Sequence, residues 1–163
     1  MTTLTRKQRE LENRKKLILK KSRDLFLRHG YAQVSIQDIC TAVEYGKSAI
    51  YSHFKSKDEI YAHIKLEAIR LLADLLEEGV NPRAKSRDKE FLKCARLLFD
   101  YYAENTAYYK ALFLSHHDED NVDKSSVYDQ ILAEKERARA PMTGLLETGM
   151  AEGEFRRDDV QRL

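Results

Sequence analysis

Two short helical patterns separated by a tight turn occupy residues 35–54 and constrain the fold of this chain more than any other feature. The first begins at Ser35, whose hydroxyl can cap free backbone N–H groups, and Asp38 completes a Ser-x-x-acid start signal. Its apolar face is formed by Ile36, Ile39, Cys40 and Val43. After the turn Glu44-Tyr45-Gly46, a second helix is predicted from Lys47 to Phe54, with Ile50 and Phe54 facing inward. Such spacing predicts a helix-turn-helix.

A longer helix precedes this pair. One buried stripe with the helical period of 3.6 residues is predicted from Ile18, Ser22, Leu25, Phe26 and His29. Gly30 is expected to end the helix, because glycine adopts a positive φ without cost. The polar segment before about Asn13 is expected to fray.

Further helical patterns fill the rest of the chain. A capping box at Ser56-Lys-Asp-Glu59 predicts a long helix that ends near Gly79, and Ser86 is expected to cap the next one. A short helical piece is predicted over 106–114, an exposed loop over 116–124 and a last helix over about 125–151, bent or broken at Pro141. With no strand-like alternation, the prediction is an all-α fold.

Charge is distributed unevenly along the chain. Residues 1–57 hold 13 Lys and Arg against 5 Asp and Glu, whereas the remainder holds 16 against 22, so a net +2 hides a basic head and an acidic body. This pattern is typical of a nucleic-acid-binding module joined to a second module, although a basic segment can also be a solvated arm. No apolar run is long enough for a membrane span, and no signal-peptide pattern begins the chain, so the cytoplasm is expected. Cys40 and Cys94 are expected to be buried thiols.

The head resembles the N-terminal domain of the TetR family of transcriptional regulators. The resemblance rests on Ile18-Leu19, Leu25-Phe26, His29-Gly30-Tyr31, Val34-Ser35-Ile36-Gln37-Asp38-Ile39 and the run from Lys47 to Glu59. It covers about 45 residues and implies a three-helix DNA-binding head with a helix-turn-helix, residues 1–57, followed by a helical ligand-binding body, residues 58–163. It also implies a regulator rather than an enzyme, and the chain lacks the common phosphate-loop, zinc-protease and serine-hydrolase motifs.

Two positions depart from the family pattern. Glu44 stands where glycine is usual in the turn, and Gly46 stands where Ser or Thr usually caps the recognition helix. Either Glu44 adopts a positive φ, at a strain of about 1 kcal/mol or more, or Gly46 absorbs the bend and the recognition helix begins later. These departures support an alternative function, a helical ligand-binding or protein-interaction module whose head does not read DNA.

A DNA-binding surface is predicted along the second and third helices of the head. Its candidate residues are Ser35, Gln37, Lys47, Ser48, Ala49, Tyr51, Ser52, His53 and Lys57. Lys47 can donate to guanine, the Ala49 methyl can touch thymine, and the Gln37 amide can pair with adenine. Tyr51 and His53 match family positions that contact phosphate, and Lys57 at a helix N-terminus suits the same ligand.

Each of these residues also has a structural interpretation. Tyr51 can be a core aromatic, His53 a surface histidine, Lys47 and Lys57 solvated charges, and Ser35 is a cap in any case. Ahead of them, Arg6, Lys7 and Arg9 can form an arm that reaches DNA, but a disordered solubilising tail is favoured.

For the body, the resemblance implies a small hydrophobic or aromatic effector held among the helices. The candidate ligand-binding residues, where aromatic faces are expected to converge, are Leu72, Phe91, Ala95, Phe99, Tyr102, Tyr109, Phe113 and Met142. Plain core packing is the alternative for each. The tyrosines at 101, 102, 108 and 109 are a candidate aromatic wall. His116-His117 beside three acidic residues is interpreted as a solvated loop, so no metal and no cofactor are expected.

The family also implies a homodimer on a palindromic operator, with recognition helices about 34–36 Å apart. Members typically continue with two more helices that pair the subunits, and this sequence stops at what looks like the first turn of one. We therefore expect a weak dimer or a monomer from these 163 residues. The predicted function is a repressor that its effector releases from the operator.

Overall fold

The computed structural model describes residues 5–109 and 126–155, and within them the chain is helical without a β-strand. The helices are α1 (Arg6–His29), α2 (Ile36–Val43), α3 (Lys47–Tyr51), α4 (Lys57–Gly79), α5 (Arg87–Glu104), α6 (Thr106–Tyr109) and α7 (Ser126–Ala151). The all-α prediction is confirmed. In the described part of the chain, none of these helices has the length and apolarity needed to cross a membrane.

Helix α1 is longer than predicted at its N-terminus. The hydroxyl of Thr5 accepts a hydrogen bond from the Gln8 amide at 3.3 Å, and the Gln8 side-chain oxygen accepts one from the Thr5 amide at 2.8 Å. This capping box starts the helix at Arg6, so the expected fraying up to Asn13 is wrong. Gly30, with a φ of 80°, ends the helix as predicted, and its amide donates to the Phe26 carbonyl at 2.9 Å.

The described residues form two compact units, one of residues 5–65, 107–109 and 126–128, the other of 66–106 and 129–155. The core of the first unit includes Ile18, Phe26, Val34, Ile39, Cys40, Val43, Ile50 and Phe54. Ser22 is also fully buried there, and its hydroxyl has no hydrogen-bond partner among the described residues. His29, predicted in the buried stripe, is exposed, because it lies in the last turn of α1, where the helix leaves the core.

In the second unit, α4 pairs with α5 and α7 through polar bonds around an apolar core. The Tyr101 hydroxyl donates to the carbonyl of Ala68 at 2.7 Å. Arg70 binds Glu134 at 3.0 Å, and Arg137 forms ion pairs with Asp74 and with Glu77. The buried apolar residues of this unit include Leu66, Ala68, Ile69, Leu72, Ala73, Leu76, Val80, Cys94, Ile131, Ala138 and Leu145.

Two local predictions for this unit are corrected. Ser86 occupies the cap position of α5, but its hydroxyl donates to the Asp88 carboxylate at 2.7 Å instead of accepting from a backbone amide. Helix α7 runs through Pro141 without the break that was one of the two predicted outcomes, since a proline removes only one backbone donor, and the bend there stays a prediction. At the start of α5, buried Arg87 binds Glu152 and Glu154, both at 2.7 Å, and the two bonds hold that arginine's pKa above its usual value.

Candidate nucleic-acid interface

The turn between α2 and α3 is made by a left-handed Glu44. Its φ of 59° and ψ of 34° bring the next amide, that of Tyr45, to the Cys40 carbonyl at 3.1 Å, while its own amide donates to the carbonyls of Cys40 and Thr41, and these bonds end α2. Gly46, in contrast, has an extended φ of −70° and ψ of 160° that any residue can adopt. Of the two predicted alternatives, strain at Glu44 is therefore the correct one, and the recognition helix starts at Lys47 without delay.

Helix α3 is a short rod with one polar and one apolar side. Lys47, Ser48 and Tyr51 are exposed, and Tyr51 keeps 51% of its surface accessible. On the opposite side Ile50 and Phe54 are buried. The regular helix stops at Tyr51 instead of Phe54, because the chain tightens into a turn in which the His53 and Phe54 amides both donate to the Ile50 carbonyl. The predicted orientation of these side chains is correct, although the helix is shorter.

The other candidate residues in and directly after α3 are either less exposed or already hydrogen-bonded within the head. Ala49 and His53 are half-buried, and the His53 ring lies beside Phe54, with ring centroids 6.4 Å apart. Ser52 is exposed, but its hydroxyl donates to the Ala49 carbonyl at 2.8 Å. These positions leave Lys47, Ser48 and Tyr51 as the side chains most available to a groove.

At the start of α2, Ser35 has the predicted capping role. Its hydroxyl accepts from the Asp38 amide at 3.2 Å, and the Asp38 carboxylate accepts from the Ser35 hydroxyl at 2.7 Å and amide at 2.8 Å. These bonds, led by that of the hydroxyl, lower the pKa of Asp38. Gln37 is exposed beside this cap.

Lys57 has structural partners that the sequence did not reveal. Its ammonium donates to the carbonyls of Tyr31 at 3.0 Å and Val34 at 2.9 Å, and it lies 4.1 Å from the centroid of the Tyr31 ring. The first residue of α4 is thereby bonded to the loop that joins α1 to α2. The predicted contact between Lys57 and a DNA phosphate stays a prediction. In the structure, the Lys57 ammonium already donates hydrogen bonds to two carbonyls.

An aromatic cluster surrounds this bond. The Tyr31 ring lies 5.4 Å from that of Phe26 and 4.7 Å from that of Tyr61, and its hydroxyl donates to Asp58. Burial, followed by the bond to the Asp58 carboxylate, raises the pKa of Tyr31 well above its usual value. The cluster and Lys57 together brace the loop between α1 and α2 on the first turns of α4.

Helix α1 gives this interface its positive charge. It contains ten Lys and Arg against three acidic residues. Two of the cations lie beside the residues that flank α3: Arg14 is 6.0 Å from the ring centroid of Tyr45, and Lys15 is 5.7 Å from that of Phe54.

The candidate effector residues do not converge in the described structure. Leu72 is buried, Tyr102 and Met142 are half-buried, but Phe91, Ala95 and Phe99 are exposed, with 72% of the Phe99 surface accessible. The reason is the inward stripe of α5, which consists of Arg87, Cys94 and Tyr101 at seven-residue spacing and turns Ala95 and Phe99 outward. The side chain of Tyr109 and all of Phe113 lie outside the described residues.

For the predicted aromatic wall, the structure describes the side chains of three of the four tyrosines. The rings of Tyr101 and Tyr102 meet edge to face at 5.4 Å, whereas Tyr108 packs under the guanidinium of Arg23 at 4.8 Å. His116-His117 falls outside the described ranges. Within those ranges, no cluster of three or more His, Cys, Asp or Glu side chains is arranged to hold a metal.

These elements define a helix-turn-helix protein with a basic head and a second helical unit. Residues 18–64 match the family model described as "Bacterial regulatory proteins, tetR family". This match takes in the head of the chain, which is therefore similar to the proteins of that family. The relatives named below are described as regulators, in agreement with the expectation of a protein that is not an enzyme.

Particular relatives agree with this assignment. The chain is 28% identical over 102 residues to the uncharacterized HTH-type transcriptional regulator YhgD of Bacillus subtilis, an alignment that takes in 57% of this chain and 53% of YhgD. It thus spans about half the length of that curated relative. The solved structure of the regulator PfmR from Thermus thermophilus superposes with a TM-score of 0.71 at 24% identity, covering 95% of this chain and 76% of PfmR.

A second solved structure, the fatty acid degradation regulator FadR from Bacillus halodurans, superposes with a TM-score of 0.66 at 16% identity, covering 89% of this chain and 72% of FadR. At these identities the two structures establish the fold alone.

Proposed function

We propose that this chain is a sequence-specific DNA-binding transcriptional regulator that places α3 in a major groove. The observation that carries the proposal is the exposed polar side of α3, formed by Lys47, Ser48 and Tyr51 and backed by buried Ile50 and Phe54. A major groove about 12 Å wide admits one helix, and such a helix must show donors or small side chains on its outer face.

Within this proposal the side chains divide by chemistry. Lys47 and Gln37, both exposed, read base edges, and the half-buried Ala49 methyl contacts a thymine methyl. Tyr51 and His53 donate to phosphates and fix the register. Helix α3 begins at Lys47 although Gly46 offers no capping side chain. The departure at Gly46 therefore leaves the recognition helix in place, which favours DNA reading over the alternative of a head that does not read DNA.

The second unit completes the proposal as the regulatory part. We place a small hydrophobic or aromatic effector there, with Leu72, Tyr102 and Met142 as the candidate contacts among the described side chains. A homodimer on a palindromic operator in the cytoplasm, repressing until the effector binds, is the proposed mode of action. Such an effector must bind the DNA-free state more tightly than the DNA-bound state.

The test is selection of duplexes from a random 30-base-pair library by the purified chain. We expect an enriched palindromic motif whose binding weakens steeply with salt. The variant Lys47→Ala should select a changed motif, whereas Lys89→Ala, an exposed lysine of α5, should select the original one. No enrichment by the unaltered chain would refute the proposed function, and an unchanged motif from Lys47→Ala would refute the role of Lys47.

A further inference from the structure

We propose that the first two turns of α1, residues 6–13, form a second DNA-contacting surface that binds backbone phosphates beside the groove occupied by α3. This inference rests on the proposed function. It assigns a ligand, the phosphates of the same duplex, to a segment that the head does not need for its own packing.

The segment is an ordered helix without a packing role. The capping box of Thr5 and Gln8 fixes its start, and every residue from 6 to 14 is exposed. Its ion pair is local, between Arg6 and Glu10 at 3.1 Å, with Arg6 89% accessible. A helix whose side chains bury nothing is unusual, because packing supplies most of the stability of a helix in a protein.

The position of the segment follows from the residues that come next. Arg14 lies over Tyr45, which shortly precedes α3, and Lys15 lies over Phe54, which shortly follows it. At residues 14 and 15, helix α1 is therefore beside the two short segments that flank α3 in the chain. Residues 6–13 lie within about two turns of Arg14, so their side chains should be close to the DNA that α3 contacts.

The reach of the segment matches the spacing of DNA. At about 1.5 Å per residue, the eight positions from Arg14 back to Arg6 extend the helix by about 12 Å. That length equals the width of about 12 Å of a major groove, so a helix that passes beside the segments flanking α3 is long enough to reach the phosphates at the groove edge.

The side chains of residues 6–16 favour phosphate as the ligand over base edges or a lipid surface. Residues 6–16 hold six Lys and Arg against Glu10 and Glu12, a strongly cationic rod. Long flexible cations contact phosphates without sequence preference, and of the two amide side chains in the segment, Gln8 and Asn13, the first is used in the capping box. A membrane-binding helix needs an apolar face, and Leu11 is the only large apolar residue from 6 to 16.

The experiment compares two triple variants of α1 that remove the same charge. The test variant carries Arg6→Gln, Lys7→Gln and Arg9→Gln. The control carries Lys20→Gln, Lys21→Gln and Arg28→Gln, three exposed cations in the second half of the same helix. Gln has a helix propensity close to those of Lys and Arg, so both chains should keep their helicity, which circular dichroism verifies.

Binding to a random-sequence 40-base-pair duplex is measured from 50 to 300 mM salt. Because each phosphate contact contributes about 0.9 to the slope of log K against log salt, losing three contacts should flatten that slope by up to about 2.7. We expect the test variant to lose about ten-fold or more in affinity at 0.1 M salt and the control at most about three-fold. A variant with Arg6→Lys and Arg9→Lys should bind like the unaltered chain.

The outcomes separate the two proposals. Equal weakening in the test and control variants would show a general charge effect and overturn the contact surface alone. An unchanged slope in the test variant would do the same. Failure of the unaltered chain to bind the duplex with any salt dependence would overturn the proposed function and this inference with it.

Discussion

The substitution Glu44→Gly should stabilise the protein, because the turn holds a side chain where glycine is preferred. Glu44 is left-handed, with φ 59° and ψ 34°. An L-residue pays about 1–2 kcal/mol for this conformation, whereas glycine adopts it freely. Glycine in turn loses about 0.5–1 kcal/mol more backbone entropy on folding. The net gain expected is about 1 kcal/mol in the free energy of unfolding.

The side chain of Glu44 offers little to offset that gain. It is exposed, and no hydrogen bond or ion pair of its carboxylate is found among the described residues. For a chain of this size, about 1 kcal/mol corresponds to a rise of about 2–4 °C in the melting temperature. Urea unfolding followed by circular dichroism, with calorimetry for the melting temperature, measures both quantities.

Two further substitutions isolate the backbone as the cause. Glu44→Ala removes the carboxylate but keeps the Cβ atom, so it should stay within a few tenths of a kcal/mol of the unaltered chain. Glu44→Asn should fall between the two, because asparagine tolerates the left-handed region better than most residues. If Glu44→Ala gains as much stability as Glu44→Gly, the charge and not the backbone is responsible, and the argument from φ is wrong.

Three other substitutions test the contacts of the head. Lys57→Met should lower the free energy of unfolding by about 1.5–3 kcal/mol, because two loop carbonyls lose a charged donor. Lys57→Arg keeps a charged donor and should lose less. Equal urea midpoints for the unaltered chain and both variants would contradict this prediction. The raised pKa of Tyr31 means that the folded state keeps a proton which the unfolded state releases near pH 10, so this contribution to stability is present below pH 10 and lost as pH rises further. Tyr31→Phe should therefore show a weaker loss of urea stability from pH 9 to 11 than the unaltered chain, and parallel curves would count against the assignment. Ser35→Ala should cost about 1 kcal/mol at neutral pH as the cap of α2 is lost, and a change below about 0.3 kcal/mol in the same urea assay would show that the Asp38 bonds alone hold this end.

The parts of the fold that were predictable are those governed by neighbours in the sequence. Ser35 with Asp38, Gly30 after α1 and Ser56 before α4 each act on backbone groups within a few residues, so the amino-acid types determine the cap. Even here one detail differed, because the Glu59 carboxylate accepts from the Lys55 amide instead of that of Ser56. The missed start of α1 was also a local signal, the Thr5-x-x-Gln8 pattern.

The parts that were not predictable depend on the tertiary packing. Lys57 meets the Tyr31 and Val34 carbonyls across more than twenty residues of chain, and no spacing rule indicates such a contact. On α5, hydrophobicity suggested that Phe99 faces inward, yet the buried stripe includes Arg87, which two carboxylates make tolerable in the interior. A buried charge with its partners outside the helix cannot be recognised from the helix alone.

The buried hydroxyl of Ser22, which has no hydrogen-bond partner among the described residues, is a position where the first unit could be made more stable. A polar atom without a partner lowers stability wherever water is excluded, and Ala at this position of α1 would remove that atom while favouring the helix. Natural sequences are selected only to exceed the stability that function requires. A library of random mutants challenged by heat would be expected to find this position early, and the exposed side chains of α3 would be untouched by the change.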